Sequence, residues 1–197
     1  MSGLKRLPEK IVVDTGILLL PLTREKKWRI ARELLRLGEE GSIELGIGLF
    51  NIAEMVSVMS RMGYEKTLAI EYASLVCDKL NVIRDTDYSL WMGILKHESM
   101  KKKYNIPWGD LSSASAAIST KSPVLVLDND AHFTHIKEIV EDLDENLEVL
   151  RIGDLEKTLS KARELVDKAI EELDNFPDNE YLKQLENLAK YIVERDF

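Results

Sequence analysis

Ile11-Val12-Val13-Asp14-Thr15-Gly16, close to the start of the chain, is a short apolar run that stops abruptly at a carboxylate and a turn. A run with no polar alternation predicts a strand covered on both faces. Its counterpart lies far along the chain, where Pro123-Val124-Leu125-Val126-Leu127 is again wholly apolar and is followed by Asp128-Asn129-Asp130. Weaker strand signals over 43–47, 82–83 and 149–152 alternate with stretches whose apolar spacing predicts helices over 24–37, 50–62, 64–80, 88–104 and 110–120. In the first of these helices Trp28 is expected in the core. Strands alternating with helices imply an α/β fold, a three-layer α/β/α sandwich around a central parallel sheet. Such sheets take their ligands at the carboxyl ends of the strands, so two strands that end in acids are the first functional signal.

After Gly153 the texture changes to helix alone, over 155–173 and 181–193. Pro177 ends the first of these helices and Asp178 can cap the second. The expected organisation is an α/β domain over 1–153 and a C-terminal helical hairpin over 154–197. The stripe Leu155, Leu159, Ala162, Leu165, Ala169 and Leu173 either packs on its own domain or offers a surface to a second copy or another partner.

Asp110 is the most informative acid. At about 100° per residue it shares a helix face with Ala114, Ala117 and Ile118, while Ser112, Ser115 and Ser119 fall opposite. A carboxylate on a packing face is costly unless it is paired, hydrogen-bonded or bound to metal; as an N-cap after Pro107-Trp108-Gly109 it would sit at the edge instead. Asp128 and Asp130 at a strand exit suggest a cation site, though the same tripeptide serves as a plain turn in many proteins. Periodicity alone makes Glu54 a solvent-facing residue beside Ser57 and Arg61. His132 and His135, without a third His or Cys near them, read as surface or substrate contacts rather than zinc ligands.

Four segments together resemble a known family. Val12-Val13-Asp14-Thr15-Gly16, Asn51-Ile52-Ala53-Glu54-Met55, Trp108-Gly109-Asp110-Leu111 and Val126-Leu127-Asp128-Asn129-Asp130-Ala131-His132-Phe133 look like the ordered acidic motifs of PIN domains, many of which are VapC-like toxins of toxin–antitoxin pairs. The resemblance spans roughly residues 10–153 and implies a ribonuclease. It assigns Asp14, Glu54, Asp110 and Asp130 as the catalytic quartet holding Mg²⁺ or Mn²⁺; Asp128, the second carboxylate at the strand exit, is a further candidate ligand on its position alone. It also implies products with a 5′ phosphate and a 3′ hydroxyl. The family often has Ser or Asn where Gly16 stands, and Thr or Ser where Asp128 stands.

Hard divalent cations take oxygen ligands, so the acids suit metal-assisted hydrolysis of a phosphodiester. For RNA contact the candidates are Lys101, Lys102 and Lys103 beside Tyr104, and Arg24 and Lys27 beside Trp28, since basic side chains next to aromatics combine phosphate attraction with base stacking. The formal charge of -8 does not oppose this. Residues 1–150 carry 19 basic and 23 acidic residues, so that setting the quartet aside leaves this part neutral. A catalytically silent PIN-like scaffold that binds RNA or protein is the alternative. An aspartyl phosphatase is disfavoured, because Gly16 stands where its second Asp is needed.

The 197 residues, 45% apolar, suffice for one real core with an appendage. No stretch approaches the roughly 20 apolar residues that span a bilayer, and Asp14 interrupts the only run resembling a signal peptide. Cys77 is the single cysteine, which excludes an internal disulfide or zinc ribbon and makes a reducing cytoplasm the expected compartment. The expected partners are an RNA substrate, an antitoxin protein and a second copy of the chain.

Overall fold

The computed structural model describes residues 8–84, 87–101, 105–173, 183–185 and 187. The chain runs β1 (Lys10–Val13), α1 (Thr15–Thr23), α2 (Trp28–Glu39), β2 (Glu44–Gly48), α3 (Leu49–Arg61), α4 (Lys66–Lys79), β3 (Asn81–Ile83), α5 (Tyr88–Lys101), α6 (Trp108–Thr120), β4 (Val124–Val126), α7 (His132–Asp142), β5 (Val149–Arg151) and α8 (Ile152–Leu173). The five strands form one parallel sheet in the order β3-β2-β1-β4-β5. This is the expected α/β/α sandwich, with a helical C-terminal region.

Pleating divides the strand residues between two cores. Val12, Val124 and Val126 face the layer built by α5, α6 and α7, where Leu90, Ile94, Leu111, Phe133 and Ile136 pack together. Ile11, Val13 and Leu125 alternate with them and are likewise fully buried. The strand order reverses between β1 and β4, since the chain builds outward from β1 on one side and then returns to its other edge. That reversal is the crevice where open α/β sheets bind ligands, and the acids after β1 and β4 flank it.

The sequence reading gave no range to two helices, α1 and α7, and α1 escaped it altogether. α1, Thr-Gly-Ile-Leu-Leu-Leu-Pro-Leu-Thr, is apolar on every side and contains Pro21, so no 3.6-residue period distinguishes it from a continuing strand. Asp14 caps it by accepting a hydrogen bond from the Gly16 N–H. The helix expected from residue 24 starts later, at Trp28, after a turn in which Arg24 and Lys27 have positive φ. Trp28 is half-buried rather than in the core.

α6 packs against β1, β2 and α3. Every residue from Gly109 to Ala117 is buried, including Ser112 and Ser115 of the face expected opposite, while Ser119 of that face is exposed. Small side chains permit this: a Cβ on Gly48, at the end of β2, would lie 2.3 Å from Ser112 Oγ and 2.8 Å from the Ser112 carbonyl oxygen.

By its contacts the chain divides into a unit of Pro8–Ile152 and a unit of Met1–Leu7 with Gly153–Phe197. The first holds all the described strands. Within the second, α8 continues to Leu173, and most of the further helix expected over 181–193 lies outside the described residues.

Gly48→Ala is expected to push α6 from the sheet and destabilise the fold by about 1–3 kcal/mol, as overpacking does. At about 2–4 °C per kcal/mol for a domain of this size, thermal melting reads the change directly, and an unchanged melting temperature contradicts the close approach.

Candidate functional site

Asp14 follows β1 and is only 6% exposed. Its Oδ2 accepts a hydrogen bond from the Gly16 N–H at 3.0 Å, and its Oδ1 accepts from Ser113 Oγ at 2.8 Å and Asn51 Nδ2 at 3.3 Å. Burial pushes its carboxyl up from 3.8 to about 6, against the Gly16 and Ser113 hydrogen bonds and with help from the nearby charges of Glu54 and Asp130.

Glu54 lies two turns into α3 and is half-buried, not solvent-facing. Its Oε2 accepts from Thr15 Oγ1 at 2.6 Å, and Thr15 Oγ1 accepts in turn from Asn51 Nδ2 at 3.0 Å. The carboxylate rests over the first turn of α6, where a Cβ on Gly109 would lie 1.9 Å from Glu54 Oε2. Glycine leaves room for Glu54 beside the crevice.

Asp110, in the first turn of α6, is also 6% exposed. Its Oδ2 lies 2.8 Å from His132 Nδ1, yet among the described residues that buried oxygen accepts no hydrogen bond of adequate geometry. The contact is therefore close approach rather than a formed hydrogen bond. Burial pushes the Asp110 carboxyl from 3.8 to about 8, and Asp14, Asp130 and Glu54 add repulsion in that order.

Asp130 ends the β4–α7 turn and caps α7 in effect, its Oδ1 accepting from the His132 N–H at 3.1 Å. Arg151, at the end of β5, holds this turn. Its Nη1 donates to the Leu127 carbonyl at 3.0 Å and the Asp130 carbonyl at 2.6 Å, and its Nη2 donates to Thr134 Oγ1 at 3.1 Å.

Ligand atoms of Asp110, Asp130 and His132 lie within 4.8 Å of one another. Among the described residues Asp14 and Glu54 do not enter that set; they face it through their charges and through the Thr15, Asn51 and Ser113 hydrogen bonds. The donor set fits a divalent cation. A buried carboxylate oxygen with no donor, beside a second carboxylate and an imidazole, lacks only a positive partner.

Asp128 pairs with Lys27 Nζ and does not enter the Asp110, Asp130 and His132 set among the described residues. Arg24 and Arg29 lie over the Trp28 ring, 5.8 Å and 5.6 Å from its centroid. Lys101 closes α5, while Lys102, Lys103 and Tyr104 lie outside the described residues.

A family profile described as PIN domain matches residues 11–139. The chain belongs to the PIN domain family. Among solved structures similar to it, VapBC2 from Rickettsia felis bound to a DNA fragment from their promoter has a TM-score of 0.50 at 19% identity, covering 72% of this chain and 98% of that one. VapBC-1 from nontypeable Haemophilus influenzae has a TM-score of 0.48 at 17% identity, covering 73% and 98%. At such identities the likeness is one of fold. Comparison with curated proteins gives no match.

The sequence reading placed His132 at the surface or on substrate rather than beside the acids, and it gave no role to Thr15, Asn51, Ser113 or Arg151 in this PIN domain site. Asn51 precedes Glu54 by one helical turn, so its face could have been inferred from spacing. Nothing in spacing points to Arg151.

A carboxyl whose pKa is raised on folding retains its proton longer in the native state. Metal-free protein should therefore lose stability as pH rises from about 4 towards 8, and lose no more from this source above that range. We expect a lower melting temperature at pH 8 than at pH 5.5, with a shallower fall in Asp110→Asn. Equal slopes in the two proteins would show that Asp110 does not titrate as described.

Arg151→Met should leave the Asp130 turn without its clamp and weaken Mn²⁺ binding about ten-fold, the order seen for groups that support metal ligands. Calorimetric titration of Mn²⁺ into folded variant and parent measures this. Equal affinities would mean that the turn keeps its shape unaided.

Proposed function

We propose that this PIN domain protein is a metal-dependent endoribonuclease that hydrolyses RNA phosphodiester bonds with Asp14, Glu54, Asp110 and Asp130 as its acidic quartet. The observation that carries the reading is the buried Asp110 Oδ2, without a hydrogen-bond donor and within 4.8 Å of ligand atoms on Asp130 and His132, at the sheet's switch point. Asp110 and Asp130, with His132 beside them, would hold Mg²⁺ or Mn²⁺, and Asp14 and Glu54 would extend the site along the β1 side. When bound, the cation supplies Lewis acidity that polarises the phosphate and lowers the pKa of a water.

The chain's own groups do the rest. Thr15 fixes the Glu54 carboxylate, which accepts a hydrogen bond from the attacking water. Ser113, Asn51 and Gly16 hold Asp14 in one orientation, so that no reorganisation is needed as charge develops on the phosphate. Arg151 fixes the Asp130 turn through main-chain carbonyls and so stays out of the reaction itself.

The motif resemblance and the likeness in fold to a VapBC assembly support a role as the toxin of a toxin–antitoxin pair, with an antitoxin protein as partner and action in the cytoplasm. Among the described residues no helix is long and apolar enough to cross a membrane. The silent-scaffold alternative remains a binding reading of the same groove, and the same assay separates the two.

Purified full-length protein is expected to cleave mixed RNA with Mn²⁺ and to stop on addition of EDTA. Asp130→Asn should lower kcat by at least the roughly 100-fold upper bound seen for supporting groups, with melting of the metal-free protein nearly unchanged. Cleavage that persists in EDTA, in a preparation free of contaminating nuclease, would falsify the mechanism. Strand binding without cleavage under any divalent ion would favour the scaffold.

A further inference from the structure

Three aromatic side chains from three helices converge beside the acids. Phe50 is the second residue of α3, Trp91 lies near the start of α5, and Trp108 is the first residue of α6. Their ring centroids are 5.2 Å (Phe50 to Trp91), 5.6 Å (Trp91 to Trp108) and 6.1 Å (Phe50 to Trp108) apart, with interplanar angles of 36–52°. Trp91 is the buried floor, while Phe50 is 42% and Trp108 60% exposed. Folding alone rewards this arrangement only in part: two large rings stay partly exposed, and among the described residues the buried Trp91 indole N–H has no partner.

The patch is continuous with the acid cluster. Phe50 and Glu54 are one turn apart on α3 and so share a face, about 5–6 Å apart at Cβ. Trp108 and Asp110 are separated by Gly109 alone, whose missing side chain is the space that Glu54 occupies. An apolar surface of mutually tilted rings thus adjoins carboxylates suited to a cation. A protein chain laid over both would need a Lys or Arg placed against those acids as well as an apolar side chain on the rings. A nucleotide presents a π face to the rings and a phosphate that a cation can bridge to the acids.

Resting on the nuclease reading above, we propose that Trp108 and Phe50, floored by Trp91, are a base-stacking platform that positions an unpaired nucleobase next to the scissile phosphate. Trp108 and Phe50 are positioning residues.

The test uses full-length Asp130→Asn protein, to suppress cleavage, and a short labelled single-stranded RNA read by fluorescence anisotropy, alongside the same backbone with abasic sites. Trp108→Ala should weaken binding of the base-bearing strand about ten-fold and leave the abasic strand unchanged, while Trp108→Phe restores most of the affinity. Phe50→Ala should act in the same direction. Equal weakening of both strands would assign Trp108 a structural role and overturn the platform. Unchanged binding of the base-bearing strand overturns it too, including where Trp108→Ala instead loses a protein partner. In the otherwise unaltered chain, Trp108→Ala should raise KM for single-stranded RNA more than it lowers kcat. If the parent fails to cleave while the base-dependent loss persists, the nuclease reading fails and the platform stands. If Trp108→Ala cleaves as the parent does, the platform fails and the nuclease reading stands.

Discussion

Negative charge held at low dielectric beside the ends of β1 and β4 is the constraint to which the surrounding structure answers. Asp14 and Asp110 are both nearly buried, and their mutual repulsion at short range is strong there. Helix N-termini supply part of the compensation. Asp14 caps α1, Asp110 lies in the first turn of α6, and Asp130 accepts a hydrogen bond from the first turn of α7. Each carboxylate therefore meets the positive end of a helix dipole. The two deepest acids differ in what else they receive: Asp14 has three donors, whereas the Asp110 oxygen facing His132 has none. That asymmetry makes Asp110 the carboxyl most dependent on a positive partner.

Close packing makes the arrangement possible. α6 delivers Asp110 and Ser113 to the crevice only because it lies against the sheet along a face of glycine, alanine and serine. The serines are not idle in that buried surface, since Ser112 Oγ accepts from the Phe50 N–H and Ser113 Oγ donates to Asp14. A leucine-rich helix would bury more apolar area, but at larger separation and without those hydroxyls. The composition of α6 thus trades hydrophobic gain for proximity and hydrogen bonding.

The sequence made the strands, the sandwich and the switch point legible, because β1 and β4 are unbroken apolar runs that end in acids. It hid α1, whose composition has no polar face to give it a period. It misjudged Glu54, because helical periodicity treats the sheet as the only thing a helix can pack against. α3 also contacts α6, and Glu54 settles near that second junction, above Gly109. His132 was visible as a residue but not as a neighbour of Asp110, which is distant in sequence. Arg151 was least legible, because its three described hydrogen bonds end on two main-chain carbonyls and a threonine hydroxyl. Main-chain acceptors leave no mark in the sequence.

The position of Arg151 has a consequence in time. Among the described residues β5 is the outermost strand on its side of the sheet, pairs with β4 alone, and is the last strand in chain order. During synthesis, Asp14, Glu54, Asp110 and Asp130 all leave the ribosome before Arg151 does. The turn that carries Asp130 lacks its clamp until β5 adds to the sheet edge. A chain interrupted before residue 151 holds the whole quartet in its sequence but not the tether for its last member. Completion of the site is thereby coupled to completion of the fold.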